Sequence, residues 1–102
     1  MQKELGDCAG IAALTCELGI NHLERGNLDQ AKTYLTDALN RFEELGDRQY
    51  IAECNFRLAQ LWQRRQHPER ARQHYTTARD LYRQLGAAKD LERIEREWEG
   101  DV

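Results

Sequence analysis

The chain predicts an all-α fold: a right-handed α-α superhelix built from two helical hairpins and a C-terminal capping helix. Three observations lead there. Leu5-Gly6-Asp7 returns as Leu45-Gly46-Asp47 and again, with one change, as Leu85-Gly86-Ala87, a fixed period of forty residues. A period in the range of about 20–50 residues marks stacked supersecondary units. Between these points the apolar residues recur at helical spacing, and the 102 residues include seven glycines but a single proline.

Shifting the sequence by forty aligns Ile11 with Ile51, Ala12 with Ala52, Leu18 with Leu58, Ala31 with Ala71, Ala38 with Ala78 and Leu45 with Leu85. The matches are apolar or small, which is what packing needs and not what catalysis needs. Residues 1–6 read as the end of a preceding helix or an N-terminal tail, because the same string closes a unit elsewhere. On that reading the chain is a segment of a larger protein. The first unit is then 7–45. Asp7 is placed to cap its first helix by accepting from orphan N–H groups, and Ile11, Leu14 and Leu18 form an i, i+3, i+7 stripe. Arg25-Gly26-Asn27 turns the chain. Ala31, Leu35, Ala38, Leu39, Phe42 and Leu45 make a second amphipathic helix ending at Gly46, suited to a left-handed cap.

The second unit, 46–85, repeats the scheme with Ile51, Cys54 and Leu58, then Ala71, Tyr75, Ala78, Tyr82 and Leu85. Pro68 stands where its second helix starts, a place where the missing N–H costs nothing. A capping helix is expected over 90–99, within a final stretch 86–102. Its apolar residues are Leu91, Ile94 and Trp98, and the rest of it is charged, as the outer face of a terminal helix should be. Trp98 is expected to lie as a lid over the last hairpin.

Leu18-Gly19, then Gly26-Asn27-Leu28-Asp29-Gln30-Ala31, then Leu35 and Ala38 resemble the tetratricopeptide repeat signature. Leu58-Ala59, Trp62, Ala71, Tyr75 and Ala78 stand at matching places in the second unit. The period of forty, against about 34 in the common form, resembles a long-repeat variant of the family. The chain departs from the pattern early in each first helix, where a large aromatic is usual and Thr15 and Asn55 stand instead. His22 fills the slot that Trp62 fills in the second unit. The Lys and Asn clamp that some members use to hold a C-terminal carboxylate has no counterpart at Cys16, Ile20 or Asn55 to Arg57.

The resemblance implies a protein-interaction module whose first helices line a concave groove and recognise a partner helix or an extended peptide. Ala13, Cys16, Ile20 and Leu23 fall on that face in the first unit, and Glu53, Phe56, Gln60 and Gln63 in the second. Phe56 is either an apolar anchor for the partner or a packing residue against the first unit. The alternative to groove binding is a structural spacer or self-association unit within a larger regulatory or signalling ATPase-type protein.

Charge sorts by unit. Residues 1–45 hold four basic and eight acidic side chains, net −4; residues 46–85 hold eight and four, net +4; residues 86–102 hold three and six, net −3. Glu17, Arg57 and Glu97 are spaced by forty, as are Glu24 and Arg64, Glu43 and Arg83, and Glu53 and Arg93. Two readings stand. Such pairs fix the register of stacking, worth little each in stability but selective against wrong registers; or Arg57 and Arg64 grip an acidic partner segment through bidentate contacts.

Other functions find no support in the residues. There is no phosphate-cradling Gly-rich loop, nucleophile elbow or H-E-x-x-H, so no enzyme activity and no cofactor are expected. His67 and His74 lack ligand partners at zinc spacing. The net charge of −3 and the absence of interleaved aromatics speak against nucleic acid. No apolar run approaches the roughly 20 residues that span a bilayer, and no signal-peptide pattern is present. Cys8, Cys16 and Cys54 form no C-x-x-C pair, which fits a reducing, cytoplasmic setting. Exposed repeat ends are expected to permit homo-oligomers.

Overall fold

Turn chemistry divides the chain before packing does. Gly46 and Gly86 both lie in the left-handed region, with φ 74° and 70°. Their N–H groups donate to carbonyls three residues back, on Glu43 and Arg83. That geometry is natural to glycine and stops each helix in the same way.

A computed structural model describes the backbone of residues 2–98 and the side chains of residues 8–98. Five helices follow in order: α1 (Gln2–Arg25), α2 (Leu28–Leu45), α3 (Arg48–Arg64), α4 (Pro68–Leu85) and α5 (Ala88–Glu97). The described residues contain no strand. Pro68 opens α4 as expected, and Asp47 caps α3 by accepting from the Tyr50 N–H at 3.2 Å. Packing runs between consecutive helices, with a lesser contact from α1 to α3. This is the helical-hairpin solenoid that the period predicts.

Small residues set the helix spacing. Ala12, Ala31, Ala38, Ala52, Ala59, Ala71 and Ala78 are all buried. At Gly19 a Cβ would come within 2.7 Å of Leu35 Cγ and 3.1 Å of the Leu35 backbone nitrogen, so α1 and α2 touch where only hydrogen fits. Gly19→Ala is therefore expected to destabilise the fold, by about 1–3 kcal/mol for overpacking. It would do so despite the roughly 1 kcal/mol that Ala gains over Gly in a helix. A thermal melt followed by circular dichroism reads the sign directly.

The first helix differs from expectation twice. α1 runs unbroken through Gly6 and Asp7, so no N-cap forms at Asp7; one glycine costs a helix interior only about 1 kcal/mol, too little to end a long one. The Ile11, Leu14 and Leu18 stripe does not face the core. These residues are 47%, 63% and 40% exposed, whereas Leu58, the match of Leu18, is 4% exposed. The buried face of α1 is Ala12, Thr15, Cys16 and Leu23. The reason is directional: in α3 the same stripe faces the hairpin before it, and none of the described residues covers that side of α1.

Thr15 and Asn55 are buried and satisfied locally, each bonding the carbonyl four residues back: Thr15 Oγ1 to Ile11 at 2.7 Å and Asn55 Nδ2 to Ile51 at 2.9 Å. Asn55 Oδ1 also meets His74 Nδ1 at 2.9 Å, which selects the Nδ1–H tautomer of His74. Cys16 and Cys54 are buried core residues with Sγ atoms 3.9 Å apart; contact with the Cys16 thiol and burial push the Cys54 thiol up. α5 begins and ends two residues earlier than predicted, at Ala88 and Glu97; Glu99 lies outside the described residues. Trp98 follows it and stacks on Tyr75, with ring centroids 4.5 Å apart, which is the predicted lid.

Candidate functional site

Glu53, Arg57, Gln60 and Arg64 stand at i, i+4, i+7 and i+11 of α3, one face of the helix. Toward that face turn the last turn of α1 and the end of α5. Leu23 and Glu24 of α1, Arg57, Gln60, Gln63 and Arg64 of α3, and Glu97 of α5 enclose a recess of about 460 Å³. All three contributors are the first helices of their units. The recess is mostly polar, with both signs of charge and two glutamine amides.

Its cations are already engaged. Arg57 Nε donates to Glu53 Oε2 at 2.9 Å and its Nη1 to Gln60 Oε1 at 3.2 Å. Arg64 Nη1 donates to the backbone carbonyl of Leu23, one residue before Glu24, the acid expected opposite it. That bond ties the end of α3 to the last turn of α1. Of the pairs spaced by forty, Glu53 and Arg93 meet as predicted, Nη2 to Oε1 at 2.6 Å.

Glu53 is the centre of this order. Besides both arginines it accepts from the Tyr82 hydroxyl at 2.7 Å. Burial alone would raise its carboxyl; the Tyr82 hydrogen bond and the Arg57 and Arg93 guanidiniums outweigh it and hold the group below the usual carboxylate range. Glu53 lines a second recess, about 400 Å³, with Asp47, Gln49, Tyr50, Tyr82 and Asp90. Tyr82 went unnoticed as a polar residue because it matches Phe42, a plain core position. The signal was there: a hydroxyl added at a buried site needs an acceptor, and Glu53 is the acid within reach on the facing helix.

The sequence-predicted groove residues thus divide. Leu23, Arg57, Gln60, Gln63 and Arg64 share the first recess, although Leu23 shows almost none of its side chain, and Ala13 packs half-buried against the core. Glu53 belongs to the second recess. Ile20 is half-buried against the core. Cys16 and Phe56 are core residues and present nothing to a partner. Phe56 lies roughly 60° round the helix from Glu53, at 100° per residue, on the flank of Ala52 and Ala59. Arg57 and Arg93 lie over its ring at 5.6 and 5.9 Å, so it is the floor beneath the ion pairs. Glu24 and Glu97 were read from sequence as register partners and also line the recess.

A tetratricopeptide repeat family model matches residues 10–84. The chain belongs to that family. No curated protein and no solved structure matches it. Tetratricopeptide repeats generally mediate protein–protein interaction and are typically non-catalytic scaffolds. Among the described residues no helix is long and apolar enough to cross a membrane.

Proposed function

We propose that this tetratricopeptide repeat chain is a protein-binding module of the cytoplasm that takes an extended peptide segment in the recess between α1, α3 and α5. The observation that carries this reading is the convergence of three first helices on one polar recess. The Gln60 and Gln63 amides each offer a donor and an acceptor, the pair of functions that a peptide backbone presents. Glu24, Glu97 and Arg64 at the rim select the charge of the bound side chains. Phe56 supplies no contact and Leu23 shows almost none of its side chain, so recognition in the recess rests on polar contacts.

Panning a random peptide library displayed on phage against the chain tests the proposal. Enriched peptides are expected to bind the double variant Gln60→Ala, Gln63→Ala at least about tenfold more weakly, a loss of about 1.4 kcal/mol, while its melting temperature stays close to that of the parent. Peptides that bind parent and variant alike, or no enrichment, would overturn it.

A further inference from the structure

The two ends of the stack carry an inference that does not draw on peptide binding, although α5 is also a wall of the groove. Three stretches bear an apolar triplet at i, i+3, i+7: Ile11, Leu14 and Leu18 on α1; Ile51, Cys54 and Leu58 on α3; and Leu91, Ile94 and Trp98 on and just after α5. Successive triplets are forty residues apart. Two of the three are seated on the hairpin before them. Cys54 packs with Cys16, Ala38 and Phe42, and Ile94 packs with Phe56, Ala78 and Tyr82, the same contacts displaced by one unit. The α1 triplet is unseated, with Leu14 63% exposed.

We propose that the α1 triplet of one copy seats on the Phe56, Tyr75 and Tyr82 face of a second copy in place of α5, joining chains head to tail. Charge chooses this over a symmetric pairing of two α1 faces. The α1–α2 unit is net −4, the α3–α4 unit net +4 and the α5 segment net −3. Head-to-tail contact places acidic against basic, as α5 does within one chain, whereas a symmetric contact sets −4 against −4. The arriving hairpin also brings α2, which extends the contact along α4. There Arg72 holds the place of Lys32, whose ammonium lies 5.3 Å from the Trp62 ring across the unit boundary.

α5 is then a removable cap. It has ten residues against the 24 of α1, and Ala87 gives it no side-chain N-cap bond. It is held by Arg93 on Glu53 at 2.6 Å and by Asp90 accepting from Gln49 at 3.1 Å. The matching residues on α1 are Ala13 and Gly10, which replace neither bond, so the cap stays closed in dilute solution and opens by mass action. The contact is heterologous, so copies grow into rings or filaments.

Sedimentation velocity on the full chain tests this. Arg93→Ala is expected to tighten self-association about tenfold by loosening the cap. Leu14→Glu spoils one end and Arg72→Glu the other; both residues are exposed, a thermal melt of each variant reports that it is folded, and each alone stays monomeric. Mixed, the two form a 1:1 pair through their intact ends. Self-association of Arg72→Glu alone would show like ends joining and overturn the proposal. So would an Arg93→Ala chain that is monomeric at millimolar concentration, or a mixture that remains monomeric.

Discussion

Replacing Phe56 with alanine is expected to cost about 3–5 kcal/mol, the range for a fully buried aromatic. The ring is wholly buried and tilted against Tyr75, with centroids 6.4 Å apart. It supports Ile94 from below in the same cluster and carries the guanidiniums of Arg57 and Arg93 above it. Stability of small domains is only about 5–15 kcal/mol, and each kcal/mol is worth roughly 4–8 °C in a chain of this size. Urea denaturation and a thermal melt should both register the loss, the latter as a fall on the order of 15 °C or more. Phe56→Leu should keep most of the stability. A Phe56→Ala chain that melts with the parent would place the ring somewhere other than the core.

Truncating Glu53 to alanine should come next in size, about 2–4 kcal/mol. Its side chain and those of Arg57 and Arg93 are less than a third exposed, and the change leaves two guanidiniums and the Tyr82 hydroxyl without their shared acceptor. The same residue sets an acid limit. Its carboxyl is held below the usual range in the fold, so the folded state binds that proton more weakly than the unfolded chain. The stability it contributes is complete above the unfolded value of about 4.3 and is lost as pH falls through the folded one. Melting temperature followed from pH 6 to pH 2 should therefore fall more steeply for the parent than for Glu53→Ala. Curves of equal slope would remove Glu53 from the account. Burial and the Arg70 charge also lower His74, which acts in the same sense below its unfolded value of about 6.5, and both chains share that part.

The period, the glycine stops, the proline start and the α2 and α4 core rows as far as Phe42 and Tyr82 were legible in the sequence because they depend on local geometry and one helix face. Leu45 and Leu85, which continue those rows in the pattern, are 43% and 40% exposed. The α1 stripe was not. Ile11, Leu14 and Leu18 have the spacing of a buried row, but spacing states which residues share a face and not what stands opposite it. Phe56 failed for a related reason. It lies at the edge of the groove face, and a turn of roughly 60° decides between surface and core. Glu53 with Arg93 could be predicted from a shift of forty, whereas Tyr82 completing that site depended on α4 meeting α3 at the right height.

The line of contacts from α1 to α5 makes this an elongated body, 48 × 32 × 18 Å, in which each unit feels chiefly the unit beside it. Folding energy in such a body is close to a sum of units and junctions, so unfolding need not be all-or-none. Amide hydrogens in α3, flanked on both sides, should exchange last, while α5 exchanges by fraying that leaves the rest of the chain closed.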